Sequence, residues 1–111
     1  MADGSSCYTL CITVRFEWDL RKNRINQAKH KGLDFATAAR VFDDPNVLLR
    51  HDRIAEDEQR WHAIGAVSKA LLLVVHTYCE DDENGEEIIR IISARAANQQ
   101  ERRIYIRQRA Q

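Results

Sequence analysis

Three arginines lie in two stretches that otherwise have the composition of buried β-strands. Arg60 is in the stretch DEQRWHAIG, and Arg90 and Arg95 are in IIRIISAR. A guanidinium on a core strand needs a carboxylate, a phosphate or the edge of the sheet, because an unpaired buried charge is costly. An ion pair with a carboxylate accounts for any one of them. Three on neighbouring strands are better explained by a phosphate or phosphodiester, to which each can donate two hydrogen bonds.

Simple alternation along IIRIISAR divides its two arginines between the faces of a sheet. Arg90 shares one side with Ile92 and Ala94, and Arg95 shares the other side with Ser93. One of the two arginines is therefore expected to contact a phosphate. The other is expected to make a structural contact or to bind a partner protein.

Groups that can transfer protons lie close to Arg60 in the sequence. Glu58, Arg60 and His62 are two residues apart, so on one strand they share a side of the sheet. Cleavage of RNA without a metal requires a base for the 2′-hydroxyl, an acid for the 5′-oxygen and cations for the phosphorane. A packed or surface role is the alternative for His62. The predicted catalytic residues are Arg90, Arg95, Arg60, His62 and Glu58.

The charges of the chain are segregated although their sum is zero. The 111 residues contain 17 Lys and Arg against 17 Asp and Glu. Segments 15–31 and 90–109 are basic, whereas DDPNVLLRHDRIAEDE and EDDENGEE are acidic. Such a distribution creates a field that attracts an anionic partner to part of the surface. A solvated face is the alternative for either basic segment, and EDDENGEE is expected to be a solvated hairpin loop.

Composition also excludes some classes of protein and site. No apolar run approaches the ~20 residues of a membrane-spanning helix. Three cysteines are an odd number, which indicates reduced thiols and a cytoplasmic protein. Cys7 and Cys11 lack the second pair that a site of about four ligands requires. Neither a metal nor another cofactor is therefore predicted.

The N-terminal part of the chain is predicted to contain one strand and two helices. Residues 1–8 are interpreted as a tail and residues 9–111 as a single domain. A strand over 9–18 precedes a helix that Asp19 caps and Gly32 ends, and Asp34 caps a second helix. The first helix is mostly polar, and only three apolar residues are expected to anchor it, namely Leu20, Ile25 and Ala28.

The rest of the chain is predicted to form three or four antiparallel strands followed by a C-terminal helix. Strands are expected over 46–52, 59–67, 70–78 and 88–93, and a helix over 96–110. Ser68 and Lys69 form a tight turn, and Asn84-Gly85 is expected at the tip of a hairpin. The fold class is therefore α+β, with the antiparallel strands in a single sheet.

Four stretches together resemble one known protein family. FEWDLRKNRINQAKHKGLDFATAARVFDDP is similar to the opening of the BrnT family of bacterial type II toxins. DEQRWHAIG, LLLVVHTY and IRIISARAANQQERRIY resemble later parts of the same family in the same order. The similarity runs from Val14 to Tyr105. Gly32 lies one residue later than in the family pattern, and EDDENGEE replaces a shorter, more basic hairpin.

The resemblance implies a RelE-like fold and an endoribonuclease that inhibits translation. It also implies an antitoxin of the BrnA type with a ribbon-helix-helix domain, and operator DNA bound only through the toxin–antitoxin complex. In such an enzyme His62 or Glu58 would be the base, and His30 or Tyr105 the acid. The family match places weight on six further residues, which are predicted to bind the substrate: Lys22, Lys29, His30, Ser93, Arg102 and Tyr105. The alternative is a non-catalytic basic module that docks an acidic partner and acts in transcriptional autoregulation.

Overall fold

The predicted order of strands and helices is confirmed in the computed structural model, which describes residues 14–55, 58–81, 83 and 85–109. Its elements are β1 (Val14–Trp18), α1 (Leu20–Lys29), α2 (Phe35–Ala38), a 3-10 helix (Ala39–Asp43), β2 (Leu48–Ala55), β3 (Glu58–Val67), β4 (Ala70–Asp81), β5 (Glu86–Ala96) and α3 (Gln99–Arg109). The predicted tail over 1–8, Cys7, Cys11 and the predicted start of the first strand lie outside the described residues. No helix within the described ranges is both long and apolar enough to cross a membrane.

All five strands form one sheet, in the order β1-β5-β4-β3-β2. The four strands from β2 to β5 pair antiparallel, as expected for an α+β fold. β1 adds a fifth strand and runs parallel to β5, which makes the sheet mixed. The predicted two-residue turn, Ser68 and Lys69, joins β3 to β4. Asn84 lies outside the described residues, so of the predicted Asn84-Gly85 turn the structure describes Gly85, with φ of 67°.

The predicted helix caps are present, but the predicted anchors of α1 are wrong. The Asp19 carboxylate accepts the backbone N–H groups of Arg21 and Lys22, and that of Asp34 accepts the N–H of Thr37. Exposure reaches 70% for Leu20 and 45% for Ile25, so these side chains do not anchor α1. Ala28 is exposed as well.

A polar side chain, Asn26, attaches α1 to the sheet instead. β1 ends opposite Ile91, so among the described residues no strand lies beside the edge of β5 beyond that residue. Asn26 is 5% exposed, accepts the N–H of Ala94 at 3.0 Å and donates to the Leu33 carbonyl at 3.1 Å. A free N–H on a buried strand edge needs an acceptor, which explains a polar anchor here.

The two faces of the sheet are packed differently. The first, which we call the core face, packs against Phe35 and Val41 of the helical segment, both of which are fully buried. A Cβ atom at Gly65 of β3 would lie 2.9 Å from the Cβ of Val41, so this close approach requires glycine. The opposite face is covered at one end by α3, whose Tyr105 packs in a cluster with Ile64.

A β-bulge in β5 determines which residues lie on each face. Val75 of β4 is opposite Ser93, but His76 is opposite Ile91, so Ile92 is the additional residue. Ile91 and Ala94 are consequently both buried in the core face. Arg90 and Arg95 pair with Thr77 and Leu73, four residues apart on β4, and therefore share the other face.

We call this second side of the sheet the arginine face. The prediction that Arg90 and Arg95 lie on opposite faces was wrong. Alternation that ignores the bulge puts every residue after Ile92 on the wrong face relative to Arg90. The bulge also explains how a strand that is buried in the core face can present two guanidiniums and Ser93 on the other face.

Candidate functional site

The predicted residues of β3 lie on the arginine face together with Arg90 and Arg95. His62 is opposite Val75, and the pairing continues with alternation towards Arg60 and Glu58. The sheet thus brings all five predicted catalytic residues to one face. At the end of this face that lies away from α3, Glu58 and Arg90 are exposed.

Glu58 and Arg90 line the same cleft, which has a volume of about 270 Å³. Thr77, Cys79 and Glu17 also line it. Glu17 is paired with Arg15 at 2.9 Å. Within the described part of the chain, Arg90 has no ion pair. This cleft therefore places a guanidinium without a carboxylate partner beside a carboxylate that could act as a base.

Arg60 is a second guanidinium without a carboxylate partner among the described residues. Its Nε atom is buried and has no hydrogen-bond partner there. Because a buried donor without an acceptor is costly, this atom is a candidate to donate to a bound anion. Arg60 and Arg90 lie on the two strands that flank β4.

His62 contacts a carboxylate that sequence reasoning did not identify. Its Nε2 atom lies 3.3 Å from Oδ2 of Asp52, on β2. The contact orients the imidazole and leaves the other ring nitrogen for a ligand. Asp52 could not have been assigned from alternation, because the pairing of β2 with β3 shifts between His51 and Ile54.

Arg95 has a different environment from Arg90, because it forms an ion pair. Its two terminal nitrogens donate to the two carboxylate oxygens of Glu101, each at 2.9 Å. Glu101 also accepts the Asn98 N–H, and Asn98 accepts the Glu101 N–H, which forms a capping box for α3. The hydrogen bonds from Arg95 lower the pKa of Glu101. The carboxylate alternative considered for each arginine thus applies to Arg95.

A second cleft, of about 400 Å³, lies between α1 and β5 on the free strand edge. It is lined by five of the predicted site residues, namely Lys22, Lys29, His30, Ser93 and Arg95. Its cationic side chains come from two segments far apart in sequence, which the Asn26 contact holds together. The arrangement can bind anionic groups such as phosphates along a chain.

The structure does not bring Tyr105 or Arg102 to either cleft. Tyr105 is 3% exposed, and its hydroxyl donates to Asp44, which also accepts the N–H of Ala66 at 2.8 Å. Burial and the hydrogen bond to Asp44 raise the pKa of Tyr105. Arg102 is exposed on α3. The contacts of Tyr105 attach α3 to the loop after the 3-10 helix.

The chain matches a protein-family model over most of its length. The model described as "Ribonuclease toxin, BrnT, of type II toxin-antitoxin system" matches residues 18–101 of the 111. The matched range contains the lining of the cleft between α1 and β5, the lining of the other cleft except Glu17, and every predicted site residue except Arg102 and Tyr105. No individually curated protein matches the chain.

Proposed function

Because the chain belongs to the BrnT family of ribonuclease toxins of type II toxin–antitoxin systems, we propose that it cleaves RNA on the arginine face, in the cleft lined by Glu58 and Arg90. The toxin class implies an RNA substrate and an antitoxin partner. One observation supports this location above the others. Arg60 and Arg90 share a face with Glu58 and have no carboxylate partner among the described residues.

In the proposed mechanism, Arg60 and Arg90 hold the scissile phosphate and stabilise the charge that develops on the phosphorane. Glu58 accepts the proton of the 2′-hydroxyl as its oxygen attacks phosphorus. The bond from phosphorus to the 5′-oxygen breaks, and His62 donates a proton to that oxygen. The products are a cyclic phosphate and a 5′-hydroxyl.

The order of residues along β3 supports these roles. Glu58 and His62 lie two residues, about 7 Å, on either side of Arg60. An in-line displacement needs its base and its acid on opposite sides of phosphorus. Asp52, at 3.3 Å from His62 Nε2, would orient the acid. His30 and Tyr105 are not needed as the acid in this arrangement.

The cleft between α1 and β5 would bind the phosphates of neighbouring nucleotides. Lys22, Lys29 and His30 supply the contacts, with Ser93 as a further hydrogen-bonding group. Because guanidiniums provide the positive charge at the scissile phosphate, we propose that cleavage requires no metal. We also propose a ribbon-helix-helix antitoxin of the BrnA type, operator binding through the complex, and action in the cytoplasm.

The alternative of a non-catalytic binding module is less well supported. A binding module would not require acid–base groups such as Glu58 and His62 on the same face as the arginines. Their common face, and the cleft that Glu58 shares with Arg90, favour an enzyme.

The test is single-turnover cleavage of RNA by the purified chain in EDTA. We expect cleavage to persist, and we expect Glu58→Gln to lower its rate by about 10²–10⁴, the range typical of general acid–base catalysis. Glu83→Gln is the matched control, because Glu83 is an exposed carboxylate in the β4–β5 turn.

Two results would contradict the mechanism. Loss of cleavage in EDTA that a divalent ion restores would show that a metal is required. Full activity of Glu58→Gln would show that Glu58 is not the base.

A further inference from the structure

The core face carries an open cleft of about 350 Å³, on the opposite side of the sheet from Glu58 and Arg90. Its lining is mainly aromatic and aliphatic, and one carboxylate is present. The lining residues are Phe42, Leu49, Trp61, His76, Tyr78, Glu87 and Ile89. The proposed catalytic mechanism uses none of them.

His76 is the one buried titratable group of this lining, and it lacks a hydrogen-bond partner at Nδ1 within the described residues. The residue is 3% exposed, and its ring packs edge-on against Phe42 at 4.9 Å. A buried polar atom without a partner is costly and uncommon. A group that enters the cleft and hydrogen-bonds to Nδ1 would remove this cost. The cleft therefore fits a mainly apolar group that carries one polar atom, such as an indole or a phenol.

Two carboxylates contact the hydroxyl of Tyr78, which lines the cleft. The hydroxyl of Tyr78 donates to Glu87 at 2.7 Å and to Glu80 at 3.4 Å. The hydrogen bond to Glu87 is the largest of the effects that raise the pKa of Tyr78 to about 12. These charges repel an RNA backbone and attract a basic segment of protein.

The strand beside the cleft presents apolar side chains to solvent. β2 is the last strand of the sheet, so its outer backbone groups have no neighbouring strand in the described part of the chain. Leu49, which lines the cleft, is 52% exposed, and Ile54 on the same strand is 71% exposed. An exposed strand edge of this kind can add an extended peptide, with pockets for alternate side chains.

We propose that this cleft is the docking site of the antitoxin, which inserts one aromatic side chain from a basic segment that lies along β2. The inference rests on the partner that the toxin class implies and not on the proposed catalytic residues. Aromatic anchors in apolar pockets commonly dominate binding energy at interfaces. Docking here is on the other face from the proposed active site, so antitoxin binding and RNA cleavage can be disrupted separately.

The test compares Leu49→Lys with Ile106→Lys in calorimetric titration against the purified antitoxin of the same toxin–antitoxin system. Leu49 and Ile106 are 52% and 53% exposed, and Ile106 lies on α3, away from the cleft. We expect Leu49→Lys to weaken binding at least tenfold, since it adds to the apolar contact a charge that repels a basic segment. Ile106→Lys should bind as the unmodified chain does, and RNA cleavage by Leu49→Lys should be unchanged. Ile54→Lys is a second variant on the same strand, and thermal melts confirm folding.

Normal antitoxin binding by both β2 variants would overturn the proposal, as would an equal loss for Ile106→Lys. Loss of RNA cleavage with antitoxin affinity retained in Leu49→Lys would also overturn it, and would show that the cleft receives RNA. Absence of cleavage by the unmodified chain would count against the proposed catalysis alone, because the docking experiment measures affinity.

Discussion

The two faces of one sheet differ in how they accommodate polar groups. On the core face, the helical segment buries an apolar cluster, and His76 is buried with no hydrogen-bond partner for Nδ1 among the described residues. On the arginine face, α3 covers one end and Glu101 pairs with Arg95 there. Arg90, at the other end, remains exposed and without an ion pair in the described structure. A charged side chain is therefore tolerated on a core strand where the covering layer ends, as at Arg90, or where that layer supplies an oppositely charged side chain, as at Arg95.

The sharpest way to test this difference is to remove the two arginines of β5 separately. Arg90→Ala should lower single-turnover RNA cleavage by ~10²–10³, as loss of one transition-state donor does, with little change in melting temperature. Arg95→Ala should mainly destabilise the chain, by about 1 kcal/mol, since solvent partly screens its ion pair. Thermal melts measured beside the cleavage rates separate the two effects.

Arg107→Ala is the control for this pair, because Arg107 is exposed on α3. It should change mainly the salt dependence of RNA binding, by about one unit of slope for each phosphate that the side chain neutralises. If Arg107→Ala abolishes cleavage while Arg90→Ala stays folded and active, the active site has been placed on the wrong element.

Burial of His76 in the core face should make the stability of the chain depend on pH. Burial lowers the pKa of His76 to about 4 from an ordinary 6.5. The unfolded chain therefore binds the proton first, and stability present above pH 6.5 is lost as the pH falls towards 4. The loss amounts to roughly 3 kcal/mol. His76→Phe should lack it, as measured by urea unfolding between pH 7 and 4.

His62→Phe provides the comparison from the arginine face, where the imidazole is about a quarter exposed. The stability of the His62→Phe variant should still fall as the pH falls, as that of the unmodified chain does, because His76 is retained. Equal pH dependence in His76→Phe and the unmodified chain would show that burial of His76 does not control acid stability.

A smaller loss of stability is expected when the contact that attaches α1 to the edge of β5 is removed. Asn26→Ala would leave the Ala94 N–H without an acceptor and should cost about 1–3 kcal/mol of stability. Arg24→Ala, at an exposed position on the same helix, should cost little. Chemical denaturation of both variants measures the difference, and an equal cost for the two would exclude Asn26 as the anchor.

Local rules predicted those parts of the fold that depend on neighbouring residues. Asp19 and Asp34 were identified as caps because capping needs only the next turn of helix. The parallel pairing of β1 with β5 was not predicted, since the partners are far apart in sequence. No residue type in the sequence marks the bulge at Ile92, which becomes visible only when β5 is aligned with β4.

The candidate site was predictable to a similar extent. Alternation was sufficient to put Glu58, Arg60 and His62 on a common face, because β3 pairs regularly with β4 there. Asp52 was missed because β2 is irregular at that point. The burial of Tyr105 depends on Asp44, which is 61 residues earlier in the chain and could not be paired with it from spacing.

The bulge at Ile92 makes this residue the one that β5 can lose without a change of register. Deletion of the single codon for Ile92 would remove no charge and no polar group. Ile91 and Ser93 would become neighbours opposite His76 and Val75, so Arg95 would stay opposite Leu73 and on the arginine face. A shorter gene without this codon would therefore encode a regular strand with the same side chains on each face.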